Sequence, residues 1–338
     1  MIAQIDKTYL KLGIKKLYVR LISYFLFEGR PIGTKGQWFN YLTIPFLRML
    51  SMLPSHYTSR APILILGMGR SGTTLLGISL SAHSKVSYLN EPKALWYIAY
   101  KNDDVIGSYS DSPGEFIYKL SNDALEQLHN RVRRIYAHYL TMTFGYRVVD
   151  KYPEMLFRVS ELLKIFPDAK FVFAMRNGND VVRSVAKFSP QMTFVKGERT
   201  ENWWGLNDRK WNLFVNQVVC LEADFQGKND LLNAIRNDID RAALEWILAS
   251  RHLKRLLLQF PKKIHIFRYE DFLVNHKKSF SDLLEFCNLE KEKPLFDFIQ
   301  KNLKEGDDKK KVHTEVVKLN ALIVEAFLAE MKNNDYKV

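Results

Sequence analysis

Short apolar runs alternate with amphipathic stretches along most of this chain. Ile63–Leu66 is wholly apolar, the pattern of a strand buried on both faces. Strand-like runs recur at Lys85–Leu89, Tyr146–Asp150, Lys170–Met175 and Lys263–Arg268. Between the third and fourth runs, Val159, Leu162, Leu163 and Phe166 keep helical spacing within Glu154–Phe166. Asn179–Phe188 reads as the helix after the fourth. Trp246, Ala249, Leu253, Leu257 and Phe260 form the buried stripe of a long helix before the fifth. Strands alternating with helices predict an α/β fold of three layers, α/β/α, around a central parallel sheet.

Two regions depart from that rhythm. Pro190–Asp230 is polar and aromatic, with Trp203, Trp204 and Trp211. It reads as an insertion over 190–235, either a lid at the mouth of a site or a packed excursion. At the amino end, Leu10, Ile14, Leu17, Leu21 and Phe25 share one helical face among Lys11, Lys15, Lys16 and Arg20, and a second apolar patch follows at Tyr41–Leu53. Such a helix either lies on a membrane surface or packs on the main domain with its lysines solvated. The expected organisation is a helical extension over 1–58, a main domain over 59–303 and, over 304–338, a solvated linker with a helix at about Glu315–Met331.

Composition narrows the partners. A net charge of +13 and a pI near 9.5 call for something anionic. Cys220 and Cys287 are too few for a disulfide framework or a four-cysteine zinc site. No run reaches the roughly 18 uncharged apolar residues of a membrane span. The expectation is a cytoplasmic protein, with peripheral inner-membrane contact through the amino-terminal helix.

The chemistry is concentrated at strand ends. After Ile63–Leu66 the chain reads Gly67-Met-Gly-Arg-Ser-Gly-Thr-Thr74, a phosphate-binding loop in which Thr73 stands where the lysine of G-x-x-x-x-G-K-[ST] belongs. Backbone N–H groups at a helix N-terminus still suit a phosphate there. The triphosphate-reaching lysine is missing, so ATP or GTP is disfavoured. A second anion site is read at Arg176, at the end of the fourth strand, with Ser184 eight residues on. Alternatively, Arg176 pairs with Asp150. Glu91 and Lys151 end the second and third strands. A carboxylate there can take a hydroxyl proton, and a lysine can neutralise charge on a leaving oxygen. The competing reading is an internal salt bridge.

Taken in order, Gly69–Thr74, Asn90-Glu91-Pro92, Lys151-Tyr-Pro153, Phe171–Ser184 and Arg268-Tyr-Glu-Asp-Phe272 resemble the sulfotransferases that use 3′-phosphoadenosine 5′-phosphosulfate. The resemblance covers roughly residues 60–290 and is closest to the tyrosylprotein and heparan-type branch and its bacterial relatives. It implies a 5′-phosphosulfate held by Arg70, Ser71, Gly72, Thr73 and Thr74. It implies a 3′-phosphate held by Arg176 and Ser184, with Tyr269 near the nucleotide. Glu91 is then the base, and Lys151 with Arg70 steadies the transferred group without a metal. Gly69 stands where the family often has proline, and Phe188 where a basic residue is common. The implied acceptor is a carbohydrate or glycolipid hydroxyl rather than a protein tyrosine, and not nucleic acid. A P-loop kinase of nucleotides or small molecules is the rival enzyme, and a non-catalytic basic module the rival class.

Overall fold

The structure, a computed structural model, describes residues 7–304 and 317–337 apart from 32, 33, 35, 56 and 58. Its strands are β1 (Ile63–Gly67), β2 (Val86–Asn90), β3 (Arg147–Lys151), β4 (Lys170–Met175), β5 (Phe194–Lys196), β6 (Arg199–Asn202), β7 (Gly205–Leu206) and β8 (Ile264–Arg268). The central sheet has the order β2-β3-β1-β4-β8 with every pair parallel. The five predicted strands are therefore the five observed. Their continuous apolar character is explained by cover on both faces. Leu64, Leu66, Val148, Phe171 and Phe173 enter the core of one face, while Ile63, Ile65, Val149 and Val172 pack with Leu76, Leu80, Phe280 and Leu283 on the other.

The helices agree less evenly. Gly178–Phe188 and Asp238–Gln259 fall where the pattern puts them. The predicted 154–166 helix divides into a 3-10 stretch, Pro153–Arg158, and a helix, Val159–Ile165. Arg158 turns inward there to pair with the buried Asp103, which also accepts from Tyr118 (2.6 Å) and Tyr152 (3.0 Å). That network fixes the Lys151-Tyr152-Pro153 turn from behind. Asn122–Thr143, a two-faced 22-residue helix capped by Ser121, lies in a stretch the sequence reading left unassigned. The C-terminal helix is Val324–Asn333; residues 305–316 lie outside the described part.

At the amino end, Gly13 (φ 94°) breaks the single predicted helix into Lys7–Lys11 and Ile14–Ile22. The second piece packs along β2. Lys16 Nζ donates to the carbonyls of His83 (2.5 Å) and Val86 (3.0 Å), and Ser23 Oγ donates to that of Tyr88 (3.1 Å). Arg20 and Glu28 form a buried ion pair at 2.5 Å. Glu28 Oε1 also accepts from the amide of Asn90 at 2.8 Å, one residue before Glu91. Over residues 14–28 the packed-helix reading is the one observed, and the extension braces the strand end that carries the candidate base.

Candidate active site

All strand-end groups singled out above lie at the carboxyl edge of one parallel sheet, where open α/β folds hold ligands. β1 runs into the glycine loop, and the Thr73–Ser81 helix starts at its far end with no side-chain cap on its first amides. Those amides remain available for an anion. Gly72 (φ 89°) is required twice. Its backbone is left-handed, and a Cβ would come within 2.6 Å of the Tyr269 ring. Tyr269, from the segment after β8, thus closes one wall of the loop.

The arginines share that wall. The Arg70 backbone lies at φ 71°, a left-handed conformation that costs a non-glycine residue roughly 1–2 kcal/mol. Its Nε donates to Ser184 Oγ at 3.0 Å, and its guanidinium lies 4.5 Å from the Phe188 ring centre. Arg176 Nη1 donates to the Arg70 carbonyl at 3.2 Å, and its guanidinium lies 4.8 Å from the Tyr269 ring centre. Burial, with the neighbouring charge of Arg176, lowers the pKa of Arg70. Two cations so close, with Arg176 Nε buried and lacking a hydrogen-bond partner, suit an anion between them. The two predicted phosphate sites therefore adjoin directly. Arg176 pairs with Asp180 at 3.6 Å, not with Asp150, whose carboxylate accepts from Trp96 and Tyr136.

Glu91 and Lys151 meet on the other side of the loop. Lys151 Nζ lies 2.5 Å from Glu91 Oε1, and Lys93 Nζ is 3.8 Å from Oε2. Lys151 is 1% exposed and Glu91 27%, so the carboxylate keeps one side open. Burial alone would raise the Glu91 pKa. The ammonium groups of Lys151 and Lys93 outweigh it and hold the carboxyl below its usual range. Its backbone too is left-handed (φ 51°), fixed by its amide donating to the Lys151 carbonyl at 2.6 Å. The salt-bridge reading is thus observed, in a pair whose carboxylate also lines a cavity while its lysine lies buried behind.

That cavity, about 590 Å³, is lined by the loop, Glu91, Lys93, Arg30, the start of the insertion and the Asp238–Gln259 helix. The insertion follows both predicted readings in different parts. Trp204 and Trp211 are buried. β5–β7 form a small antiparallel sheet that carries Trp203 and Glu201 to the cavity wall. The Trp203 indole lies directly on Gly69, where a Cβ would come within 2.6 Å of it. Gly69 is therefore what lets the hairpin settle on the loop. Phe188, at the other unusual position, supports Arg70 and meets Trp203 edge-on at 5.8 Å. We expect Gly69→Ala to destabilise the protein and Trp203→Ala to relieve that loss. In a double-mutant cycle read by denaturant unfolding, the coupling should be about 1 kcal/mol or more; additive effects would separate the two residues.

Sequence reasoning missed the rest of the cavity's charge. Lys93 bonds Glu154 (3.3 Å), and Lys210 joins Glu154 (3.8 Å) to Glu245 (3.1 Å). Lys93 and Glu154 sit within three residues of Glu91 and Lys151, so proximity to the motifs was an available signal. Lys210, Glu245 and Glu201 come from the insertion and the long helix, with no local pattern to mark them.

Comparison with known proteins bears on family and fold. Residues 62–217 match the sulfotransferase family. An uncharacterized protein of Aquifex aeolicus is 27% identical over 244 residues, 69% of this chain. The chain spans about a quarter (26%) of that relative's length. Among solved structures, the sulfotransferase domain of the Synechococcus PCC 7002 olefin synthase superposes with a TM-score of 0.50 at 14% identity, covering 84% of this chain and 98% of that one. Sulfotransferase STF9 from Mycobacterium avium gives 0.48 at 12% identity, over 98% and 92%. The first of these shows a shared fold.

Proposed function

We propose that the protein moves a sulfuryl group from 3′-phosphoadenosine 5′-phosphosulfate to a hydroxyl of a carbohydrate or glycolipid. The observation that carries this reading is the convergence of the lysine-less loop, Arg70, Arg176, Ser184 and Tyr269 on one wall, with Glu91–Lys151 across the loop from them. The buried Arg176 Nε without a partner and the uncapped helix start fit the nucleotide's anionic groups. Bound there, the nucleotide supplies an activated sulfuryl group. Arg176 and Ser184 hold the 3′-phosphate. Arg70 and the amides of Ser71–Thr74 hold the 5′ end. Glu91 accepts the acceptor's hydroxyl proton at a carboxylate oxygen, and Lys151, bonded to Glu91, supplies positive charge that steadies the oxygens that gain charge.

The cavity wall favours a sugar over a phenol. Carboxylate oxygens of Glu154, Glu201 and Glu245 line the cavity, and Trp203 offers an apolar face beside them. A polyhydroxylated ring can donate to several such oxygens, whereas a tyrosine side chain offers one O–H. Transfer of labelled sulfate to a panel of glycosides, phenols and tyrosyl peptides tests this. Glycosides should be the preferred acceptors; transfer confined to phenols or peptides would overturn the assignment.

Protonation gives a second check. Burial pushes the Glu201 carboxyl up to about 7, only partly opposed by Lys93. Its ionised form is the better acceptor of sugar hydroxyls, so kcat/KM for the acceptor should rise as pH climbs through about 7. Glu201→Gln should remove that limb. Glu91, held below the usual carboxylate range, is already ionised, so kcat should stay flat across neutral pH.

A further inference from the structure

The Asn40–Met52 helix has two apolar faces, and only one is buried. Thr43, Leu47, Leu50 and Ser51 pack inward. Tyr41, Leu42, Pro45, Arg48, Met49 and Met52 form an exposed stripe at helical spacing, with Trp38 and Leu53 at its ends. Tyr41 is 89% exposed, Met52 67% and Trp38 65%. A helix surface apolar to this extent, with a single charge, is foreign to an ordinary solvated face.

A second exposed apolar cluster lies along the neighbouring Asn122–Thr143 helix. Arg134 donates to the carbonyl of Ser51, and His138 lies 3.4 Å from that of Leu53. Farther along the same Asn122–Thr143 helix, Tyr18 donates to the carbonyl of Met142, and Tyr57 to that of Gly145. There the exposed Tyr18, Tyr57, Phe144 and Tyr146 make up the cluster.

Charge identifies the occupant. Residues 7–60 contain nine lysines and arginines and one acid, Glu28. That acid is buried against Arg20, so no carboxylate of this segment faces outward. Aromatic and aliphatic side chains on a segment with no outward carboxylate of its own, with Lys15, Arg48 and Arg60 exposed around them, fit an anionic bilayer. We propose that this face docks the protein on such a membrane. Trp38, Tyr41, Leu42, Met49, Met52 and Leu53 enter the headgroup boundary, and the cations face lipid phosphates. The predicted amphipathic helix contributes only its exposed end, Leu10, Ile14 and Tyr18, since the rest packs along β2.

The docking face adjoins the cavity. Asn40, the first residue of the helix, exchanges two hydrogen bonds with the Arg30 backbone, at 2.8 and 2.6 Å, and Arg30, Pro31 and Thr34 line the cavity. If the sulfuryl-transfer reading holds, on which this extension rests, a lipid-linked acceptor hydroxyl reaches Glu91 without leaving the bilayer.

Flotation with phosphatidylglycerol–phosphatidylcholine vesicles tests the docking. The parent should float at low salt, and much less with phosphatidylcholine alone or at high salt. The triple variant Tyr41→Ser, Leu42→Ser, Met52→Ser should bind the anionic vesicles at least about tenfold more weakly. Its thermal stabilisation by 3′-phosphoadenosine 5′-phosphate should match the parent's, which shows that it folds. Failure of the parent to float, or equal flotation of the triple variant, overturns the proposal. So does a parent dimer that the triple variant dissociates, because a second copy then covers the face. A parent that floats but ignores the nucleotide would leave the docking standing and remove the sulfotransferase reading.

Discussion

Replacing Glu91 by glutamine is expected to lower turnover by about 10²–10⁴-fold while nucleotide affinity stays nearly unchanged. Glutamine keeps the length and an oxygen that accepts from Lys151, so the strand end should hold its shape. It removes the carboxylate that receives the proton. The Lys151 ammonium, 1% exposed, then loses its anionic partner, and a stability cost follows because the ion is buried. The two effects separate by measurement. The stability loss is read by denaturant unfolding, and kcat is read below the transition at saturating nucleotide. Normal turnover in this variant would move the base elsewhere, and Glu154, which shares Lys93 with Glu91, is another carboxyl on the cavity wall.

Arg176→Ala is expected to act on binding instead. The guanidinium touches the Arg70 carbonyl and the Tyr269 face, and its buried Nε lacks a partner. Charge-assisted hydrogen bonds of this kind contribute about 1.5–3 kcal/mol, so affinity for 3′-phosphoadenosine 5′-phosphate should fall by roughly 10–100-fold. Calorimetric titration reads that directly. At saturating nucleotide, kcat should stay within a few-fold of the parent. A kcat that collapses with affinity unchanged would make Arg176 part of the chemistry rather than the cradle.

The two variants test residues that were legible in the sequence for a physical reason. A parallel sheet buried on both faces leaves apolar runs, and the residues closing those runs are the ones a ligand can meet. Glu91 and Arg176 follow a strand directly, Lys151 ends one and Arg70 lies three residues past another, so one-dimensional order carries their place. The structure adds what order cannot supply. Arg70 and Ser184 lie 114 positions apart and are hydrogen-bonded, which joins two anion sites that read as separate. Glu91 and Lys151 are paired across 60 positions, which sets the carboxyl's protonation. Gly69 and Phe188 looked like departures from the family pattern. The Trp203 indole gives both a role, and the indole comes from an insertion with no strand-end rule to mark it. The Asn122–Thr143 helix was missed although Leu128, Val132, Ile135 and Tyr139 keep helical spacing along its buried face.

The central claim is that Arg70, Arg176 and Ser184 grip a 3′-phosphorylated adenine nucleotide. Differential scanning fluorimetry with 3′-phosphoadenosine 5′-phosphate beside ATP with Mg²⁺ tests it most directly. At about a hundred times its dissociation constant, a true ligand stabilises by about 2.7 kcal/mol, a rise of several degrees in Tm for a chain of this size. The bisphosphate should produce that rise, ATP with Mg²⁺ much less, and Arg176→Ala should shrink it. Strong stabilisation by ATP with Mg²⁺ and none by the bisphosphate would contradict the account.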